Sequence, residues 1–294
     1  MWISDRRFIL CFGCQRGGTT WLAQQLRKHP GFDFPPRKEI RYLDAVYVHN
    51  FLSIQRQRIN EFRRRLRNEL GEKPGELGTR HARELLWNAK YSLVSRDMYD
   101  DKWYSALFES CDPKRVTGDF SPDYSLLPEE GVSHLARLLP NARLVFIMRD
   151  PVDRLISGSA YVLRFQSKLT PEEAEIRLRS LMRSPLQYQF SDYKTILPLF
   201  ERHFSPDSIL ILFHDDISLD PHGVVKAVCD HVGTGFDPGQ FPDPLTQSVN
   251  RSPQIPMPDD AVVEARERMM PILEYVSERF GSHASRWLAA ARSD

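Results

Sequence analysis

Short apolar runs alternate with helical patterns along this chain. Three runs carry hydrophobic side chains at consecutive positions, namely Phe8 to Phe12, Leu144 to Met148 and Ile209 to Phe213. Phe32 to Phe34 and Arg115 to Thr117 are shorter candidate strands. Strands that are buried on both faces give continuous apolar runs, and strands that alternate with helices pair in parallel. The pattern predicts an α/β fold of three layers, with a central parallel sheet flanked by helices.

Helix boundaries can be located from capping residues and periodicity. A helix is predicted over 19–29, directly after two glycines, and another begins at Pro151 with Asp150 as its N-cap. The sequence Thr-Pro-Glu-Glu at 170–173 is typical of a capping box. An amphipathic pattern over 260–280 predicts a further helix that stops before a glycine.

The segment 49–111 interrupts this alternation with charged, helical sequence. We therefore predict a single domain over 1–294 that carries a helical insertion at 49–111. The insertion is rich in arginine: Arg56, Arg58, Arg63, Arg64, Arg65 and Arg67. These side chains form either a solvated helix face or a cationic lid over an acidic acceptor.

Composition excludes several classes of protein. Hydrophobic residues make up 41% of the chain, charged residues 27%, and the formal net charge is +1, so no nucleic-acid partner is expected. Without a stretch of about 20 apolar residues or a signal-like amino terminus, we expect no membrane insertion and a cytoplasmic protein. The C-x-x-C at 11–14 lacks a second cysteine pair, so we interpret Cys11 as a core thiol and Cys14 as a loop thiol.

A glycine-rich loop, defined here as residues 13–20, follows the first apolar run and precedes the helix that starts near Trp21. Glycines at a strand-to-helix turn allow backbone N–H groups to converge on an anion, and the helix dipole favours negative charge there. The loop is therefore predicted to bind a phosphate or sulfate group.

The glycine-rich loop departs from the nucleoside-triphosphate pattern G-x-x-x-x-G-K-[ST]. Gly13, Gly18 and Thr20 match this pattern, but Thr19 stands at the position of the lysine that reaches the β- and γ-phosphates. Arg16 instead provides a cation inside the loop. A P-loop kinase is therefore the less favoured hypothesis.

A second anion-binding pattern follows the run that ends at Met148. Arg149 lies at the carboxyl end of a predicted buried strand, where ligands of open α/β sheets bind. Ser157 follows eight positions later, on the predicted helix. The guanidinium and the hydroxyl could hold one phosphate from two directions. Alternatively, Arg149 is structural and pairs with Asp153.

Together these motifs resemble the P-loop-like sulfotransferases that use 3′-phosphoadenosine-5′-phosphosulfate (PAPS), in their bacterial and heparan-sulfate-type branch. The resemblance implies that PAPS is the donor and that Arg149 and Ser157 bind its 3′-phosphate. Arg251, in a segment that closes over the nucleotide in relatives, would add to that site. The 5′-phosphosulfate would be held by one run of residues: Arg16, Gly17, Gly18, Thr19, Thr20 and Trp21.

The resemblance also implies a base for the acceptor hydroxyl. Glu39 lies in a segment similar to the family's K-E-x-H-F-F-D, in which the glutamate takes the proton. Here Arg41 replaces the histidine. Arg16 would stabilise charge that develops during transfer. The alternative role for Glu39 is a surface ion pair with Lys38 or Arg37.

A further departure lies at 119–120, where the family often has glutamate and lysine and this chain has Asp119 and Phe120. Asp119 would either orient a cation such as Arg16 or be structural. The missing lysine leaves a non-catalytic nucleotide-binding relative as another hypothesis. No metal-ligand pattern is present, so we expect no metal. The acceptor would offer a hydroxyl on a small molecule, glycan or lipid.

Overall fold

The computed structural model describes residues 2–71, 79–165, 169–241 and 257–293. Its centre is one parallel sheet in the order β2-β1-β3-β4. The strands are β1 (Phe8–Gly13), β2 (Thr117–Phe120), β3 (Arg143–Met148) and β4 (Ile209–Phe213). Helices cover both faces of the sheet, which confirms the predicted three-layer α/β fold.

The helices are α1 (Thr19–Leu26), α2 (Phe51–Gly71), α3 (Thr79–Ser92), α4 (Asp101–Ala106), α5 (Glu129–Leu138), α6 (Pro151–Leu163), α7 (Pro171–Met182), α8 (Pro185–Gln189), α9 (Tyr193–His203), α10 (Asp216–Leu219), α11 (Pro221–Val232), α12 (Asp259–Phe280) and α13 (Ser282–Arg292). Short 3-10 turns and a π-helical turn at Asp44–Val48 connect several of them. Among the described residues, none of the helices is both long and apolar enough to cross a membrane.

Strands β1, β3 and β4 are mostly apolar because both faces of the sheet are covered. Ile9 and Cys11 of β1 pack with α1 and α11, whereas Leu10 and Phe12 belong to the larger cluster built with α5, α6, α9 and α12. Successive side chains of a strand point to opposite faces, so one strand contributes to two cores. Burial on both faces fixes the sheet and hence the edge where its carboxyl ends meet.

Two strand predictions need correction. Phe32 to Phe34 forms no strand; Phe32 makes a single parallel bridge to Val116. Pro35 and Pro36 follow directly, and a proline has no N–H with which to continue a ladder. The weak candidate at 115–117 is displaced, because the strand runs over Thr117–Phe120.

The helix-start predictions are confirmed because capping is local. The Asp150 carboxylate accepts hydrogen bonds from the N–H groups of Val152 and Asp153 at 2.8 and 3.3 Å. Thr170 and Glu173 form the reciprocal capping box. The first helix ends earlier than predicted, at Leu26.

The insertion contains α2, α3 and α4, and its arginines differ in their surroundings. Arg58 is buried and faces the segment at 40–41, whereas Arg56, Arg63 and Arg67 are exposed. At 100° per residue these three lie on roughly the opposite side of α2 from Arg58. Their arrangement favours the solvated-face interpretation.

Candidate active site

The glycine-rich loop is a tight turn between β1 and α1. Cys14 donates its N–H to the Ile147 carbonyl at 2.9 Å, and Gly17 donates to the Cys14 carbonyl at 3.0 Å. A Cβ on Gly17 would lie 2.7 Å from both Cys14 Sγ and the Ile147 carbonyl oxygen, so a side chain does not fit there. Gly18 has φ 100°, which favours glycine. Because α1 begins at Thr19, the N–H groups of its first turn face the loop.

The structure brings the three predicted anion-binding side chains together. Arg16 Nε donates to Ser157 Oγ at 3.2 Å, and Arg149 Nη1 donates to the Arg16 carbonyl at 3.1 Å. The Arg16 guanidinium also lies 4.8 Å from the centroid of the Tyr161 ring. Arg149 is 3.9 Å from the Asp153 carboxylate, a longer contact than an ion-paired hydrogen bond. Tyr161 was not foreseen, since no motif marks its position.

Positive charge dominates this cluster. Burial lowers the pKa of Arg16, and the charges of Arg149 and Arg164 lower it further. Burial and then Arg149 lower the pKa of His214, which follows β4, to about 4. His214 is therefore neutral at pH 7, and the cluster favours a bound anion.

Two arginines near the glycine-rich loop, Arg154 and Arg149, carry buried side-chain nitrogens. Arg154 is fully buried, its Nε donating to Ser191 Oγ at 2.6 Å and its Nη2 to the Gln187 carbonyl at 2.7 Å. Burial lowers the pKa of Arg154 to about 10. Within the described ranges, Arg154 Nη1 and Arg149 Nε are buried and find no hydrogen-bond partner. An acceptor group bound beside Arg149 would satisfy one of them.

The C-x-x-C is not a reactive pair. Cys14 lies in the glycine-rich loop and is fully buried there, with the Tyr193 hydroxyl 3.5 Å from its Sγ. Burial raises the pKa of Cys14, and burial raises that of Cys11 to about 12. Both thiols therefore stay protonated, as expected for structural cysteines.

Glu39 lies in the segment that connects the Phe32 bridge with α2. Its backbone has φ 64°, and its side chain is 43% exposed. Lys38 Nζ contacts Glu39 Oε1 at 2.6 Å, as the ion-pair alternative proposed, while Arg37 pairs with Glu61. The Lys38 side chain is only 16% exposed, and its charge acts on Cys11 in β1. Glu39 and Lys38 are thus near the sheet, with Glu39 open to solvent.

Arg41 connects this segment with the glycine-rich loop. Its guanidinium contacts Asp44 at 2.9 Å and Asp123 at 3.0 Å, and Asp123 also accepts from Gln15 Nε2 at 3.4 Å. Burial, followed by the charge of Asp123, raises the pKa of Asp44 to about 7. Arg41, which replaces the histidine of the similar family segment described above, thus bridges two carboxylates.

Asp44, Asp123 and His49 each offer a potential metal-ligand atom within 4.8 Å of the others. Arg41 already bridges the two carboxylates, and His49 is 3.9 Å from Asp123. We therefore interpret Arg41, Asp44 and Asp123 as an ion-pair network.

Asp119 contacts neutral hydrogen-bond donors in the core. Its carboxylate accepts from the Ile40 N–H at 3.2 Å, Ser121 Oγ at 2.8 Å and the Tyr104 hydroxyl at 3.3 Å. All three donors are uncharged groups, which favours the structural role of Asp119 over the orientation of a cation. Burial raises the pKa of Asp119 to about 6.

Four further residues named in the sequence analysis lie within the described ranges, and most of them are buried. Phe120 packs in the core against Phe34, at 5.3 Å between ring centroids. The Trp21 side chain is buried with α1 against the sheet, Thr19 is buried and Thr20 is half-buried. Arg251 lies outside the described residues.

The chain matches the model of the "Sulfotransferase family" over residues 8–238, and it belongs to that family. A sulfotransferase from Alicyclobacillus acidocaldarius has a TM-score of 0.61 at 20% identity, covering 96% of this chain and 98% of that one. The sulfotransferase domain of the Synechococcus PCC 7002 olefin synthase has a TM-score of 0.47 at 21% identity, covering 86% and 80%. No curated protein matches the chain in sequence. The structural likeness extends the shared fold over nearly the whole chain.

Proposed function

We propose that the chain transfers a sulfuryl group from PAPS to a hydroxyl acceptor. The observation that carries the proposal is the convergence of Arg16, Arg149 and Ser157 at the glycine-rich loop, with a net positive field. A donor with a 5′-phosphosulfate and a 3′-phosphate carries anionic groups for both parts of this cluster. The N–H groups at the start of α1 would bind the phosphosulfate, and Arg149 and Ser157 the 3′-phosphate.

The reaction would be an in-line displacement. The acceptor oxygen attacks sulfur and forms the new S–O bond, while the bond between sulfur and the 5′-phosphate oxygen breaks. Glu39 takes the acceptor proton, and adenosine 3′,5′-bisphosphate leaves. Arg16 would stabilise the negative charge that accumulates on the leaving phosphate. The half-exposed Glu39 carboxylate is accessible to an acceptor.

Nucleotide binding distinguishes sulfotransfer from the kinase hypothesis. Adenosine 3′,5′-bisphosphate at about one hundred times its Kd should stabilise the fold by about 2.7 kcal/mol, because it binds only the native state. We expect a rise in Tm of several degrees in a thermal unfolding assay, and no comparable rise with MgATP. Protection by MgATP alone would instead favour a kinase. Nucleotide protection without turnover of labelled PAPS on any hydroxyl acceptor would favour a non-catalytic relative.

Arg149 should contribute mainly to donor affinity. Charged hydrogen bonds contribute about 1.5–3 kcal/mol each, so Arg149→Ala should weaken binding of adenosine 3′,5′-bisphosphate about ten-fold or more. Turnover at saturating PAPS should change less, because the 3′-phosphate is remote from sulfur. Calorimetry with Ser157→Ala in parallel measures both contributions. Unchanged affinity in both variants would contradict this placement of the 3′-phosphate.

A further inference from the structure

The segment that carries Glu39 has an unusual backbone. Glu39 and Arg41 both have positive φ, at 64° and 56°, and neither is glycine. L-residues seldom adopt this region, and they remain in it only where surrounding contacts hold them. The segment at 39–41 therefore depends on groups outside it.

One of those groups is Arg58 of α2, which is 2% exposed. Its Nη2 donates to the Ile40 carbonyl at 2.8 Å and to the Tyr99 hydroxyl at 2.8 Å. The Tyr99 hydroxyl in turn lies 3.2 Å from the Arg41 carbonyl, which Arg58 Nη2 approaches at 3.5 Å. Arg58 and Tyr99 together hold the carbonyls that follow Glu39.

Aromatic rings surround the Arg58 guanidinium. It lies 4.6 Å from the Tyr91 ring centroid, 5.0 Å from that of Tyr99 and 5.2 Å from that of Trp103. All three rings come from the helical insertion. Cation–π contacts compensate in part for the lost hydration of the charge, and they fix the plane of the guanidinium.

The three aromatic rings and the carbonyls do not satisfy every hydrogen-bond donor of the Arg58 guanidinium. Across the described ranges, Arg58 Nε and Nη1 are buried and have no hydrogen-bond partner. An apolar side chain would fill an aromatic pocket without leaving donors unsatisfied, so packing alone gives no reason for arginine here. The hydrogen bonds from Arg58 to the carbonyls of Ile40 and Arg41 do give a reason for an arginine at this position.

We propose that Arg58 is a positioning residue, which holds the backbone at 39–41 so that Glu39 faces the acceptor. This inference rests on the proposed role of Glu39 as the base. The insertion would then take part in the reaction through one buried side chain, while its exposed arginines are solvated.

Arg58→Lys tests the proposal, because lysine keeps the charge but loses the planar fork. We expect kcat at saturating PAPS to fall about ten- to a hundred-fold, as for a catalytic group displaced by about 1 Å. Affinity for adenosine 3′,5′-bisphosphate should change less than two-fold, about the precision of such a comparison. Arg56→Lys, on the exposed face of the same helix, is the matched control and should behave as wild type.

Two measurements separate positioning from a general structural role. Amide exchange in the peptide over 37–44 should be faster in Arg58→Lys than in the control, while the glycine-rich loop exchanges as before. In a Glu39→Gln background, Arg58→Lys should cause little further loss of kcat, because Arg58 acts on the reaction only through Glu39. Should Arg58→Lys fail to fold, Tyr99→Phe removes only the hydroxyl and should also speed exchange over 37–44.

Unchanged kcat and exchange in Arg58→Lys would overturn the role of Arg58, as would a full additional loss in the Glu39→Gln background. A nearly wild-type Glu39→Gln enzyme would instead overturn the proposed base. The exchange measurement does not depend on turnover, so the two failures are distinguishable.

Discussion

Replacing Glu39 with glutamine should lower turnover about 10²–10⁴-fold, the range for loss of a general base. Glutamine keeps the shape of the side chain but cannot take the acceptor proton. The carboxylate is 43% exposed and packs in neither core, so the fold and nucleotide affinity should be nearly intact. Steady-state rates at saturating PAPS, with Tm as the check on folding, measure the effect. The acid limb of the wild-type rate profile should vanish in this variant.

Asp119→Asn is the matched comparison, since Asp119 lies at the end of β2 and is the rival carboxylate. Its pKa is raised by burial to about 6, so an acid limb near pH 6 that disappears only in Asp119→Asn would identify it as the base. A nearly wild-type Glu39→Gln enzyme beside an inactive, folded Asp119→Asn enzyme would reverse the assignment.

From the raised pKa of Asp119 we also expect the free energy of unfolding to depend on pH. Its pKa in the folded protein lies above the ordinary value of 3.8, so the native state binds more protons than the unfolded state between about pH 4 and pH 6. The contribution of Asp119 to stability therefore declines as pH rises through this window. Asp119→Asn should lack the decline, which unfolding by urea at pH 4 and pH 7 can reveal.

The features that the sequence predicts well are local or repeated. The capping carboxylate of Asp150 and the Thr170 capping box need only their own first helical turn. The apolar strands were recognisable because each contributes to two cores. Phe32 to Phe34 looked like these strands, but pairing with Val116 and the prolines that follow decide its structure, and periodicity does not report pairing.

In the candidate site too, some residues can be predicted from the sequence, whereas others depend on contacts between distant segments. Arg16 and Arg149 stand at the ends of β1 and β3, and a parallel sheet brings such ends to one edge. The sequence does not distinguish the buried Arg58 from the exposed Arg56, because only the folded insertion shows which arginine is buried. The link from Gln15 through Asp123 to Arg41 likewise joins three distant segments.

These links give a physical reason for the departure at Arg41. A histidine could not bridge Asp44 and Asp123 with parallel donors as a guanidinium does. The bridge ties the segment of the candidate base to the glycine-rich loop from one side, and Arg58 holds it from the other. The base and the donor site would therefore keep a fixed separation, which an in-line displacement requires.

The second large effect should come from Arg16. Arg16→Ala should lower turnover about 10²–10³-fold, as for removal of one donor to developing charge, and should weaken binding of adenosine 3′,5′-bisphosphate much less. The reason is that Arg16 lies in the glycine-rich loop, where charge would accumulate on the leaving phosphate, while Arg149 and the N–H groups of α1 remain to bind the nucleotide. Rates at saturating PAPS and calorimetric affinities measure the two effects.

Arg164→Ala is the matched control for Arg16→Ala. Arg164 approaches the same Tyr161 ring, at 5.6 Å from its centroid, and acts on Arg16 electrostatically, but it is exposed beyond the end of α6. Its loss removes one positive charge from the neighbourhood without removing a group from the glycine-rich loop, so turnover should change by less than about three-fold, in line with a screened surface charge. Equal losses of turnover and nucleotide affinity in Arg16→Ala would assign Arg16 to binding alone. Equal losses of turnover in Arg16→Ala and Arg164→Ala would show that total charge, rather than the position of Arg16, determines the rate.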